Sequence, residues 1–304
     1  MESENQKLPI DPQKTLGFIL DASTAFLEKR GVASSRLAAE LLASRLIKCP
    51  RLDLQLSLRS TLPDKLIEAM RRGIMRVGTG EPIQYVLGQW DFRKLTLKTD
   101  KRALIPRPET EELVQLLLDC KPLRALKTPR IMDFGTGSGC IALSLASELP
   151  GARVIGVDIS EDALALAREN AETLKLTDRV SFLNSETVDL ADVFEPGSLD
   201  AIISNPPYIP TASYHRLADT VKNFEPQSAL DGGPDGMIIT RHLIEDSTLL
   251  LASGGYLFLE LSAEDDQARS LGRYLSEVGF DNIKAHRDIN GKERFLSGAL
   301  AEGL

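Results

Sequence analysis

The sequence predicts an α/β fold, in which a doubly wound, mostly parallel sheet follows a small domain made of helices. Three observations lead to this prediction. Roughly the first 80 residues show only helical patterns of apolar residues, and from Glu109 onward strand-like and helix-like segments alternate. A stretch rich in Gly and Pro separates the two regions. The length of 304 residues also suits two domains.

The N-terminal region contains three amphipathic segments. Apolar residues recur at near-helical spacing in segments 14–31, 34–50 and 62–77. Gly31 and Pro50 stand where the first two helices would end, and Pro63 stands where the third would begin. We therefore predict a helical bundle over residues 1–82.

We predict that residues 83–107 form a β-hairpin that links the two domains. The segment "YVLGQWDFRKLTLKTDKRALI" partly alternates in polarity and is rich in aromatic residues, and the stiff "IPRPET" ends it. Arg107 and Glu109 in this motif would either line the mouth of a site or lock the hairpin to the core of the following domain.

We predict that residues 108–304 form the sheet domain and that ligands bind beyond the carboxyl ends of its strands. A helix opened by Ser160 as N-cap lies among its elements, and Glu260 at a strand end is expected to be structural. The predicted strands are "RIMDF", "ARVIGVD", "RVSFL", "DAIIS", "GYLFLEL", "NIKAHRD" and "ERFLSGAL".

Composition excludes several classes of function. The formal net charge of −8 argues against broad binding to nucleic acids. No apolar run reaches the roughly 18 residues that span a bilayer, and the polar, acidic N-terminus is unlike a targeting peptide, so we expect a cytoplasmic protein. The three cysteines are far apart and the three histidines are scattered, which predicts no metal site and favours an organic cofactor.

A glycine-rich turn, "MDFGTGSGC", follows the first predicted strand of the sheet. Its GxGxG spacing disfavours NAD or FAD, because Cys140 occupies the third glycine of the GxGxxG fingerprint, and no Walker A motif is present. Asp158 ends the next strand and could accept both hydroxyls of a ribose, while Asp133 could face a cationic amino group. These features suit S-adenosylmethionine; the alternative is a turn that serves only packing. The predicted cradle is Gly135, Thr136, Gly137, Ser138 and Gly139.

The motif "NPPY", Asn205–Tyr208, follows the strand "DAIIS" at the same edge of the sheet. The side-chain oxygen of Asn205 and the carbonyl of Pro206 could accept the two N–H groups of a planar amine or amide. The prolines, Pro206 and Pro207, stiffen the backbone, and Tyr208 could cover one face of the planar group. We predict Asn205, Pro206 and Tyr208 as catalytic residues and all four as substrate-binding residues.

The motifs together resemble the HemK/PrmC family, the release factor glutamine methyltransferases. The resemblance runs from about Ser34 to Phe295 and includes "GEPIQYVLGQWDF", "IPRPET", "DFGTGSG", "SNPPYIP", "FEPQSAL", "GGPDG" and "RDINGKERF" in order. It implies a class I, seven-stranded methyltransferase core that binds S-adenosylmethionine.

The resemblance also implies roles for individual residues. Gly135–Gly139 would cradle the cofactor, Asp158 would bind its ribose, and Asn205 would contact both cofactor and substrate. Thr187 is the best match to an adenine-contacting residue, although the family often has an aromatic side chain there. Apart from the resemblance, we expect the segment Phe224–Glu225–Pro226 either to close a loop over the site or to serve packing.

The substrate implied by the resemblance is the glutamine of the Gly-Gly-Gln motif in class I peptide chain release factors. The enzyme would methylate the N5 nitrogen, with residues 1–82 recognising the protein substrate, and would act as a monomer. Alternatives are glutamine methylation of a ribosomal protein, N6 methylation of adenine in a nucleic acid, and a non-catalytic S-adenosylmethionine-binding protein.

Overall fold

The computed structural model describes residues 11–264 and 266–303. Residues 1–10, on which the expectation about a targeting peptide partly rests, lie outside the described residues. The chain divides after Gly88 into two compact units, Met1–Gly88 and Gln89–Leu304. Within the described ranges, no helix combines the length and the apolar character needed to cross a bilayer.

The smaller unit is helical, as the sequence predicts. Leu16, Leu20, Leu27 and Met70 are almost fully buried in its apolar core. Thr15 caps the first helix by accepting a hydrogen bond from the amide of Phe18. The α-helices of this unit are α1 (Leu16–Glu28), α2 (Ser35–Ile47), α3 (Asp64–Gly78) and α4 (Ile83–Leu87), and its 3-10 turns are Pro12–Lys14 and Arg51–Ser57.

Helix α4 corrects one sequence prediction, because the expected hairpin does not begin at residue 83. Pro82 precedes the helix in an extended conformation, and Gly88 ends it with a positive φ of 70°. Tyr85 on the helix is buried. The Gly and Pro residues that suggested a change to β-structure therefore bracket a short helix.

The larger unit alternates strands and helices, as predicted, but the alternation begins at residue 130 rather than at Glu109, because two helices precede the first strand of the sheet. Its strands are β1 (Gln89–Phe92), β2 (Leu95–Lys98), β3 (Arg130–Phe134), β4 (Arg153–Asp158), β5 (Val180–Asn184), β6 (Leu199–Ser204), β7 (Leu251–Glu260), β8 (Phe280–Arg287) and β9 (Glu293–Leu300). Its helices are α5 (Pro108–Leu118), α6 (Lys121–Ala125), α7 (Cys140–Glu148), α8 (Glu161–Leu174), α9 (Leu190–Val193), α10 (Thr211–Tyr214), α11 (Asp219–Lys222), α12 (Ile238–Leu250) and α13 (Gln267–Glu277), with a 3-10 turn at Gln227–Ala229.

The hairpin formed by β1 and β2 belongs to this larger unit. Phe92 and Leu97 are buried in its main apolar cluster. At the turn, the guanidinium of Arg93 forms an ion pair with Glu148 on α7 (2.5 Å) and donates to the carbonyl of Glu111 on α5 (2.8 Å). Apolar burial and the ion pair thus hold the hairpin to the sheet domain.

The seven-stranded sheet has the order β5-β4-β3-β6-β7-β9-β8, and only β9 runs antiparallel to its neighbours. From β3 the chain first adds strands on one side, then returns to add β6 and β7 on the other. The carboxyl ends of β3 and β6 therefore flank the point where the order reverses, which is where doubly wound sheets bind ligands. Phe134 pairs with Ser204 there, so the next residues are Gly135 and Asn205.

Candidate active site

A cleft of about 320 Å³ opens at this edge of the larger unit. The glycine turn forms one wall, and most of the remaining lining side chains are apolar. A concave, largely apolar site with a few polar groups is the usual form of a small-molecule site. Its lining includes Ile105, Arg107, Thr110, Gly135, Thr136, Gly137, Ser138, Asp158, Ile159, Asn205 and Pro207.

The glycine turn between β3 and α7 presents bare backbone to this cleft. Gly135, Gly137 and Gly139 have φ values of 71°, 55° and 83°, a region that side chains other than Gly rarely adopt. A Cβ at Gly139 would lie 3.0 Å from the side chain of Leu143. The turn leads directly into the N-terminus of α7, and the amides at a helix N-terminus favour polar and anionic ligand groups.

Asp133 does not line the cleft, in contrast to its expected contact with a cationic amino group. Its Oδ2 accepts hydrogen bonds from the hydroxyl of Thr136 (2.6 Å) and the amide of Ala142 (3.0 Å). The carboxyl therefore ties the turn to α7 from beneath. Complete burial raises its pKa to about 7, and Oδ1 has no hydrogen-bond partner among the described residues.

Asp158 lies at the end of β4 and lines the cleft, as predicted. Its two oxygens accept hydrogen bonds from the amides of Gly137 and Ser160, both 2.9 Å long. Each oxygen retains a further lone pair for a ligand hydroxyl. Burial raises the pKa of this carboxyl. Ser160 also caps α8, which confirms the predicted N-cap.

Thr187 lies outside the main cleft. Its hydroxyl donates to the carbonyl of Asn184 (3.3 Å), and the residue lines a separate, shallower depression. Ser185 lines both spaces. Ile159 is the apolar side chain nearest in sequence to Asp158 in the main cleft, and it is 51% exposed. Sequence reasoning missed Ile159, although an apolar residue directly after the acidic strand end was a usable signal.

The Asn205–Tyr208 segment follows β6 beside the glycine turn. Asn205 and Pro207 line the cleft, whereas Pro206 is buried. Among the described residues, neither Oδ1 of Asn205 nor the carbonyl of Pro206 accepts a hydrogen bond from the protein. The two atoms that the sequence predicts as acceptors for a planar nitrogen are thus unengaged. Tyr208 lies behind the cleft, and its hydroxyl faces Glu260 at 3.5 Å.

The loop "GGPDG" holds this segment in place. A Cβ at Gly236 would lie only 2.3 Å from the carbonyl oxygen of Tyr208, so only glycine allows this approach. The side chain of Gln267 donates to the same carbonyl (2.9 Å), and Ile209 forms a bridge with Asp231. The backbone after β6 is therefore supported from behind as well as stiffened by its prolines.

Two buried polar residues adjoin Asn205. Nδ2 of Asn205 donates to the hydroxyl of Thr110 (3.0 Å), and this hydroxyl donates to Oε2 of Glu260 (2.8 Å). Both Thr110 and Glu260 are 1% exposed. Burial raises the pKa of Glu260 to about 7. The sequence analysis did not identify Thr110, although this residue lies in the "IPRPET" motif. It also did not connect Glu260 with the site.

The loop that contains Glu225 is fixed to the end of the "IPRPET" motif. Glu225 is 4% exposed, accepts from the amide of Ile105 (3.1 Å) and pairs with the guanidinium of Arg107 (2.6 Å). Arg107 and Pro226 both line the cleft. Arg107 therefore has both predicted roles, because it borders the site and anchors the segment that leads to α5.

Comparison with known proteins identifies relatives of both units. Residues 19–88 match the family model described as the PrmC N-terminal domain, and residues 126–282 match a model described as a methyltransferase domain. The release factor glutamine methyltransferase of Rhodopirellula baltica is 39% identical over 292 residues, which cover 94% of this chain and 97% of that protein. The MTRF1L release factor glutamine methyltransferase of Homo sapiens is 34% identical, covering 90% of this chain and 84% of that protein.

Solved structures of methyltransferases share the fold. A methyltransferase from Pyrococcus furiosus superposes with a TM-score of 0.50 at 19% identity, covering 67% of this chain and 88% of that one. The hMettl16 catalytic domain superposes with a TM-score of 0.53 at 15% identity, covering 77% and 82% of the two chains. Together with the match to the methyltransferase domain model and the seven-stranded sheet, this fold confirms the predicted class I methyltransferase core.

Proposed function

Because the chain belongs to the family of release factor glutamine methyltransferases, we propose that it methylates the side-chain amide nitrogen of a glutamine in a peptide chain release factor. The observation that supports this most is a pair of acceptors directly after β6, Oδ1 of Asn205 and the carbonyl of Pro206, neither of which accepts a hydrogen bond from the residues that the structure describes. A primary amide has two N–H donors, and this pair matches them.

The cleft suits S-adenosylmethionine, the cofactor of this fold. When bound there, the cofactor would supply an electrophilic methyl group on a positively charged sulfonium, with a neutral thioether as the leaving group. The backbone of Gly135–Gly139 would cradle the amino-acid end, and Asp158 would accept hydrogen bonds from the ribose. Ile159 would provide an apolar surface for the base. The carboxyl of Asp158, which lines the cleft, is also an acidic group that suits a ligand with positive charges.

The chain contributes orientation rather than proton transfer at the reacting nitrogen. An asparagine side chain cannot act as a base, and Tyr208 stays neutral because burial and the nearby Glu260 raise its pKa. Hydrogen bonds from the substrate amide to Asn205 and Pro206 would turn the nitrogen's electron density toward the methyl group. The proton would then leave to water after transfer. Because the acceptors are held rigidly, little ordering remains to be done in the transition state.

The finer parts of the proposal concern the partner. We assign the glutamine to the Gly-Gly-Gln motif of class I release factors, and residues 1–82 to recognition of that protein. The match of residues 19–88 to the PrmC N-terminal domain supports a dedicated role for the helical unit. We also propose that the enzyme acts as a monomer in the cytoplasm.

A competition between substrates tests the proposal. The purified enzyme is incubated with methyl-labelled S-adenosylmethionine and, in separate reactions, a class I release factor, the same factor with its Gly-Gly-Gln glutamine replaced by alanine, a ribosomal protein and DNA. We expect label only on the intact release factor, and peptide mass spectrometry should locate it on the glutamine side chain. Label on the ribosomal protein alone, or on DNA alone, would overturn the proposal.

A further inference from the structure

Thr110, in the wall of the cleft, and Glu260, which is not part of that wall, form a buried connection to Asn205. Because Ser204 pairs with Leu259, Glu260 at the end of β7 lies level with Asn205 after β6. Thr110, near the start of α5, lies between them and forms a 2.8 Å bond to Glu260 and a 3.0 Å bond to Asn205. The two residues are 1% exposed, so water does not compete for these bonds.

The chemistry of this chain of bonds gives it a direction. An ionised carboxylate can only accept hydrogen bonds, so the single proton of the Thr110 hydroxyl must point to Glu260. The hydroxyl oxygen can then only accept from Asn205. Asn205 must therefore present its NH₂ group to Thr110, which leaves Oδ1 for the opposite side. The oxygen and nitrogen of an asparagine amide have almost the same shape, and packing alone does not distinguish the two orientations.

We propose that Thr110 and Glu260 are positioning residues that fix the orientation of the Asn205 side chain, so that its oxygen rather than its NH₂ group meets the substrate amide. This inference rests on the proposed function, since it assigns the reason why Asn205 accepts from the glutamine nitrogen. An Asn205 side chain turned by 180° presents two donors to the two donors of the substrate. The substrate amide then lacks one acceptor and cannot hold the reactive orientation.

Protonation of Glu260 reverses the direction of the two hydrogen bonds that connect Glu260, Thr110 and Asn205. The neutral carboxyl can donate to Thr110, whose proton is then free to point to Asn205 and favour the turned amide. Burial raises the pKa of Glu260 to about 7, so this reversal falls near neutral pH. Among the residues that the structure describes, the titratable or charged groups that face Glu260 are Glu109 on α5, Cys140 on α7, Tyr208 after β6 and Arg294 on β9.

The central variant is Thr110→Val, which keeps the shape of the side chain and removes the hydroxyl. We expect kcat to fall about 10- to 100-fold, while the Kd for S-adenosylmethionine stays within about threefold. Thr110→Ser keeps the hydroxyl and should restore kcat to within about threefold of wild type. Thr240→Val, at a buried threonine outside the cleft lining, is the matched control and should leave kcat unchanged.

The pH dependence of kcat tests the direction of the hydrogen bonds between Glu260, Thr110 and Asn205. In the wild type we expect kcat to fall as the pH decreases through about 7, because Glu260 becomes protonated. Glu260→Gln cannot lose a proton, and its amide can donate to Thr110 as well as accept. We therefore expect a reduced kcat without this acid limb. The glutamine amide of the substrate does not titrate in this range.

A measurement without turnover separates this inference from the proposed function. The side-chain NH₂ resonance of Asn205, identified by its loss in Asn205→Ala, should shift with a midpoint near pH 7 in ¹⁵N-labelled wild type and stay constant in Thr110→Val. Any of three results would overturn the inference. These are an unchanged kcat in Thr110→Val, an equal loss of kcat and cofactor affinity in that variant, and a wild-type Asn205 resonance that does not change with pH. A wild type that methylates no glutamine, with the expected resonance shift, would overturn the proposed function alone.

Discussion

Replacing Glu260 by Gln should stabilise the folded protein at alkaline pH, although it should impair turnover. Burial raises the pKa of this carboxyl from 4.5 to about 7, so the folded state favours the neutral form. This preference contributes stability that is fully present below pH 4.5 and is lost as the pH rises through about 7. The glutamine side chain of the variant has no charge to bury, so its contribution should not change with pH.

The expected size follows from linkage between protonation and folding. Between pH 5.5 and pH 8.5, the free energy of unfolding of Glu260→Gln should rise by roughly 2 kcal/mol relative to wild type. Total stabilities of about 5–15 kcal/mol make this change measurable. Urea unfolding of both proteins, followed by the fluorescence of Trp90, the only tryptophan of the chain, reports on the unit that contains Glu260.

The difference between the two proteins cancels every titration that they share. Glu264→Gln, at a side chain that is 80% exposed, is the matched control and should show no change in relative stability over the same range. A constant difference between wild type and Glu260→Gln from pH 5.5 to 8.5 would refute the reasoning. It would mean that the buried carboxyl keeps its ordinary pKa.

Three further substitutions test the site. Asn205→Ala should lower kcat at least about 100-fold but change the Kd of S-adenosylmethionine less than about threefold by calorimetry, because Asn205 orients the substrate amide; an equal loss of affinity contradicts this. Asp158→Ala should raise that Kd about tenfold or more by removing the ribose acceptor and the bond to Gly137 (2.9 Å), and an unchanged Kd refutes the assignment. Arg107→Met should lower the free energy of unfolding in urea by about 1–3 kcal/mol, since Glu225, 4% exposed, loses its cation; unaltered stability argues against this anchor.

Local patterns were sufficient for most of the fold. The strand "RIMDF" matches β3 at both ends, and "ERFLSGAL" matches β9, because an apolar run bounded by turn residues specifies a buried strand. Ser160 was identified as an N-cap from the residue type and its place before a helical pattern. The turn at Gly135–Gly139 was located because only glycine adopts its backbone angles without strain.

The structure departs from the expected placement where local signals have two meanings. Pro82 and Gly88 are typical of a turn, but here they start and end the helix α4. Thr187 was chosen by its position after β5, yet the chain carries it into a separate depression. Asp133 precedes the glycine turn, where a ligand-binding residue is expected, but its carboxyl accepts a hydrogen bond from the amide of Ala142 at the start of α7. In each case the outcome depended on how the neighbouring backbone continued.

The sequence by itself determined where the chemistry lies and of what kind it is. Parallel strands bring their carboxyl ends to one edge, so "DFGTGSG" and "SNPPY" had to meet there, and the stiff acceptors of "NPPY" specified a planar nitrogen. Only the tertiary structure decided how Asn205 is oriented. Thr110 and Glu260 are 150 residues apart in the chain, and the direction of their hydrogen bonds depends on a pKa that burial sets. Burial is a property of the packed fold, and no local pattern of residues carries it.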